Sequence, residues 1–104
     1  MNERASLKEA IRRIHGCNAK FIESVDVIES FQGKTVWSGV VSSFELSGHP
    51  LAKRCYAWCH KDEQNPKETR FFTVLELPPI DSPIKAVRAA IVSQTKLKKK
   101  IKSN

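Results

Sequence analysis

Leu7, Ile11 and Ile14 recur at i, i+4 and i+7, the spacing of one apolar stripe on a short helix. Ser6-Leu7-Lys8-Glu9 in front of them reads as a capping box, in which the serine oxygen and the glutamate carboxylate satisfy backbone N–H groups reciprocally. The pattern predicts a helix that starts at Ser6 and ends at Gly16, a residue free to take the left-handed conformation. From Ala19 the rhythm changes to β-branched and aromatic residues. FIESVDVIESF, the turn Gln32-Gly33-Lys34 and TVWSGVVSSFEL together predict a β-hairpin. In its second strand Val36, Val40 and Phe44 point one way and Trp37, Gly39 and Val41 the other. Apolar residues on both sides predict a strand covered, at least in part, on two faces.

After the turn Ser47-Gly48-His49-Pro50 comes LAKRCYAWCH. As a strand it places Cys55, Ala57 and Cys59 on one face and Arg54, Tyr56, Trp58 and His60 on the other. Small side chains suit the face beneath a helix, so the aromatic and basic face is expected to look away from the helices. KDEQNPKE is a polar loop, and TRFFTVLEL is the last strand, ended by Pro78-Pro79. Asp81-Ser82-Pro83 opens a second helix, with serine as N-cap and proline at the first helical position. Ile84, Val87 and Ile91 form its inward stripe. Leu97 and Ile101 drift from that stripe, so the helix is expected to leave the domain or fray near Gln94. The fold class that follows is α+β: a single domain in the order α-β-β-β-β-α, an antiparallel four-stranded sheet with both helices on one face.

At 104 residues the chain has the length of one domain with a shallow core, for which a second copy of the chain is a natural support. The formal charge of +7 is unevenly spread. TKLKKKIKSN, residues 95–104, carries five lysines and no acid, so the rest holds 13 basic against 11 acidic groups, a net +2. The expected organisation is therefore a domain over 1–94 and a polybasic tail over 95–104, with Lys96, Lys98, Lys99, Lys100 and Lys102 as its electrostatic feature. No apolar run approaches the roughly 20 residues that cross a bilayer, and MNERASLKEAIRR lacks a secretory apolar stretch, so a cytoplasmic location is expected. Cys17, Cys55 and Cys59 are then expected to be free thiols.

Candidate chemistry is sparse. On a strand Cys55 and Cys59 lie about 13 Å apart, too far to share a zinc ion, and Cys-Tyr-Ala-Trp-Cys-His has one residue too many between its cysteines for haem attachment. Glu23, Asp26, Glu29, Glu45 and Glu76 show no paired spacing for acid–base work, and the glycines form no phosphate-cradling loop. Neither a catalytic set, a metal site nor a cofactor is expected. The candidate site is the face made by Trp37, Val41, Arg54, Tyr56, Trp58 and His60. It fits a homodimer or partner interface, because apolar patches of that size rarely stay bare. Alternatively, its aromatics stack nucleic-acid bases while the cations hold phosphates.

GHPLAKRCYAW and PPIDSPIKAVRAAI resemble stretches of small bacterial proteins of the orphan or mobile gene cassette type. The resemblance implies a bacterial cytoplasmic setting and carries no activity or site residues. The helix–strands–helix order is similar to that of double-stranded-RNA-binding domains, but those have three strands and a lysine cluster at the start of the last helix, where this chain has only Lys85 and Arg88. No RNA-contacting residues carry over.

Three functional expectations follow: a non-enzymatic binding or adaptor module, homodimeric through the aromatic face, with a lysine-rich tail for an acidic partner; a nucleic-acid-binding protein using the same face; and a small-molecule binder or enzyme with a pocket between sheet and helices.

Overall fold

A computed structural model of the chain describes residues 3–62 and 64–102, and side chains up to Ser93. Helix α1 (Glu3–His15) precedes strands β1 (Asn18–Phe31), β2 (Lys34–Ser47), β3 (Arg54–Lys61) and β4 (Thr69–Leu75), and helix α2 (Pro83–Lys102) follows them. The strands form one antiparallel meander in the spatial order β1-β2-β3-β4. The expected element order and sheet are therefore present in a single domain.

Local chemistry accounts for most boundaries. The Gly16 N–H donates to the Arg12 carbonyl at 2.9 Å with φ at +68°, which closes α1. Gln32 and Gly33 both have positive φ, the twist that a two-residue hairpin turn requires. Ser82 caps α2 from both its carbonyl, which accepts from the Ala86 N–H, and its hydroxyl, which accepts from Lys85 at 3.4 Å. Two starts differ from expectation. α1 begins at Glu3 rather than Ser6, because Glu3, Arg4 and Ala5 are themselves good helix formers. β3 begins at Arg54 because His49 Nδ1 accepts from the N–H groups of Leu51 and Ala52 at 3.1 and 2.9 Å and holds that stretch in a turn.

The helices lie on opposite faces of the sheet, not on one. Leu7 and Ile11 of α1 pack with Cys17, Phe44, Leu46, Cys55 and Ala57, while Ala86 and Val87 of α2 pack with Val27, Val41, Tyr56 and Trp58. The reason is complementary bulk. α1 brings large side chains to the face where β3 is small, and α2 brings Ala86 and Ala90 to the face where β3 is aromatic. Across the α2 face, Arg88 donates through Nε to Glu29 Oε2 and ties the helix to β1; the guanidinium holds the Glu29 carboxyl below its ordinary range.

The sheet is also split. β1 and β2 pair along their whole length and β3 and β4 along theirs, but β2 meets β3 only over Ser42–Glu45 against Arg54–Ala57. Beyond that seam the two hairpins part. On the α2 face Trp37 fills the gap, its indole edge-on to Trp58 at 5.8 Å and resting on Gly39, where an added Cβ would come within 3.0 Å of the ring.

Candidate functional site

Alternation along β3 positions the expected site residues as read from the sequence, but their surroundings differ. Val41, Tyr56 and Trp58 are 0–4% exposed beneath α2, and Trp58 stacks on Phe72 at 5.6 Å. Trp37 is half-buried against them. Arg54 and His60 are exposed at the two ends of β3, with the His60 ring stacked on Phe72 at 5.0 Å. The expectation of an open aromatic face therefore needs correcting. These residues are the packing layer between sheet and α2, and neither a second copy nor a stacked base reaches Tyr56 or Trp58 while α2 is in place.

Inside that layer the Tyr56 hydroxyl donates to Glu76 Oε2. Burial, followed by the Glu76 carboxylate, pushes the phenol well above its ordinary range, so it stays a donor at neutral pH. His15 Nε2 lies 2.7 Å from Thr73 Oγ1 at the β4 edge, and burial, then neighbouring His49, lowers its pKa.

Two clefts border the helices. One of about 460 Å³ opens on the α1 face where β2 and β3 part, lined by Glu3, Arg4, Phe21, Val40, Ser42 and Cys59, with the Arg4 guanidinium 3.6 Å over the Phe21 ring. The other, about 570 Å³, runs beside β4 between His15 and the Ala89, Ala90 and Ser93 side of α2. All three cysteines are free. Burial pushes the Cys55 thiol up to about 12 and the Cys59 thiol up to about 11, which leaves both protonated and poor nucleophiles. Among the described residues no group of three or more His, Cys, Asp or Glu side chains converges as metal ligands, and no helix is long and apolar enough to cross a membrane.

The side chains of Lys96, Lys98, Lys99, Lys100 and Lys102 lie outside the described residues, but their backbone is helical. α2 runs on to Lys102, past the boundary expected near Gln94, because lysine, leucine and isoleucine sustain a helix and no glycine or proline interrupts it. Sequence reasoning missed the β4 edge, where Arg70, Thr73 and Glu76 stand. The available signal was the charge-free run Phe71–Leu75 between one base and one acid.

Comparison of the chain with protein-family models, with curated proteins and with solved structures finds no match.

Proposed function

We propose that this protein is a binding module that engages a polyanionic partner through the C-terminal half of α2. The observation that carries the reading is the continuity of the helix. A segment with five lysines and no acid extends from a helix anchored on the sheet by Ala86, Val87 and the Arg88–Glu29 pair. An anchored helix presents its charges with less ordering entropy to lose on binding than a disordered tail does. Lysines in a last turn also complement the helix dipole, but one or two achieve that, and five in seven positions repel one another unless an anion lies against them. The protonated state of Cys55 and Cys59 weighs against thiol catalysis, and three free thiols fit a reducing, cytoplasmic compartment.

Fluorescence anisotropy of a labelled DNA duplex and of labelled polyglutamate, titrated with the full chain, tests this. Five phosphate contacts predict a log–log salt slope of about −4.5, or about a 500-fold loss of affinity for a fourfold rise in salt. Replacing the five lysines with glutamine should abolish binding to both polyanions. Affinity and slope unchanged in that variant would refute the proposal.

A further inference from the structure

Among the described residues β4 is a terminal strand whose one strand partner is β3, with His15 of α1 bonded to the Thr73 hydroxyl beside its outer edge. Between Arg70 and Glu76 it has no charge, no proline and no break in register, and an apolar edge of this kind is a template for another strand. β1, the opposite edge, is defended: Lys20, Glu23, Asp26 and Glu29 stud it and two register shifts interrupt it.

The phase of the ladder says which groups β4 offers. The Glu76 N–H donates to the Arg54 carbonyl at 2.9 Å, and the Asp62 N–H to the Glu68 carbonyl at 3.0 Å. Even-numbered residues from Glu68 to Glu76 therefore bond to β3, and Phe71 and Thr73 direct both peptide groups outward, while at Leu75 the N–H points outward and the carbonyl is taken by the Leu77 N–H at 3.0 Å. That outer edge borders the 570 Å³ cleft, which is walled by His15 of α1, by Leu77, Pro78 and Ile80 after β4, and by the small Ala89, Ala90 and Ser93 of α2.

We infer that the strand filling this place is β4 of a second copy, paired antiparallel in the register centred on Thr73. The sequence is complementary to itself in that register. Thr73 meets the partner's Thr73, Phe72 meets the partner's Val74, Phe71 meets the partner's Leu75, and Arg70 meets the partner's Glu76, each unlike pair occurring twice. Threonine pairs, aromatic–β-branched pairs and opposite charges are the combinations that stabilise antiparallel neighbours. Moving the register by two residues, the smallest step the bonding phase allows, puts Glu76 opposite the partner's Glu68 in one direction and opposite the partner's Phe72 in the other. The ion pairs described within one chain are Lys85–Asp81 and Arg88–Glu29, and neither uses Arg70 or Glu76. Glu76 is half-buried, and Tyr56 already orients it through one oxygen. About four inter-chain backbone hydrogen bonds close the pair, two at Thr73 and one from each Leu75 N–H to the opposite Phe71 carbonyl. A two-fold axis perpendicular to the sheet keeps both α2 helices on one face of the resulting eight-stranded sheet.

Analytical ultracentrifugation of the full chain tests the assignment, with circular dichroism to check each variant's fold. The wild type should sediment as a dimer at tens of micromolar. Arg70→Glu alone and Glu76→Arg alone turn both charge pairs repulsive, and each should raise the dissociation constant about tenfold or more. Their equimolar mixture restores both attractive pairs and should recover wild-type association as a heterodimer. Thr73→Pro removes an outward N–H at the dyad, together with the hydroxyl bonded to His15, without touching the β3 ladder, and should give a folded monomer. A monomeric wild type, an open-ended assembly, or a dimer that neither Arg70→Glu nor Thr73→Pro weakens would overturn the inference. None of these outcomes depends on polyanion binding.

Discussion

Trp58→Ala separates a packing role for the aromatic face from a recognition role. Trp58 is 2% exposed, stacked on Phe72, edge-on to Trp37 and covered by Ala86 and Val87. A tryptophan buries up to about 250 Å² of largely apolar surface, which at about 25 cal/mol per Å² corresponds to as much as 6 kcal/mol. Partial collapse of the cavity and the methyl group left behind reduce this, and measured aromatic-to-alanine losses run at about 3–5 kcal/mol. A loss of about 4 kcal/mol is therefore expected. In a domain of this size that lowers Tm by about 20 °C and moves a urea midpoint by about 2 M. Urea titrations followed by far-ultraviolet circular dichroism and by the fluorescence of the remaining Trp37 measure it directly. A recognition residue on an open face behaves differently: its removal weakens a ligand and leaves the midpoint nearly unchanged. A loss under about 1 kcal/mol, the range of surface substitutions, would refute the layered arrangement of α2 over β3.

Two further expectations concern titration. Because burial holds the folded-state pKa of His15 below its unfolded value, the unfolded chain takes up a proton that the native one refuses, so Tm should fall as pH drops below about 6.5, and His15→Gln should flatten that part of the profile; an unchanged slope in the variant would show that His15 is not the group responsible. With the Cys59 thiol pushed up to about 11 and Cys55 to about 12, from an ordinary 9.0, thiolate at Cys59 is about 100-fold scarcer than in a free thiol at pH 8. A thiol titration should show slow reaction until denaturant is added, and a fast burst from the native chain would contradict the burial described.

Much of the fold was legible in the chain because its signals are local. The turn at Gln32-Gly33, the proline after Ser82 and the alternation of cysteines against aromatics in β3 each involve a few neighbouring residues. What was not legible is which helix covers which face. Alternation in β2 already implied two buried faces, but it carries no information about the covering element. The inference that helices sit over small strand residues holds for α1, whose Leu7 and Ile11 are bulky, and fails for α2, where the small residues are Ala86 and Ala90 on the helix itself. The same gap misassigned the candidate site. Tyr56, Trp58 and Val41 were correctly placed on one face, yet whether that face is a surface or a core depends on where α2 lies. The β4 edge was hidden for a different reason: short connections already imply a meander that ends on β4, but the phase of its outward peptide groups, which decides what the edge can pair with, is fixed only by the ladder to β3.

That order makes the two ends of the sheet unequal. β1 is twice the length of β4, yet its acidic residues and register shifts discourage an added strand, and pairing β1 with itself about Asp26 would oppose Glu23 to Glu29 and Asp26 to its own copy. β4 is short, regular and self-complementary about Thr73. If partner choice followed apolar exposure alone, the outer part of the β1–β2 hairpin, with Ile28, Phe31, Val36 and Val40, would be the stronger candidate. Apolar exposure, however, sets no register and selects no partner, whereas in the proposed dimer Arg70 and Glu76 would do both, because a single arrangement of two identical strands pairs them twice. The polyanion site proposed for α2 gains from that arrangement. In the proposed dimer both α2 helices would lie on one face, so two lysine segments would be offered to one polyanion, and binding through two linked sites would exceed either alone without any new contact.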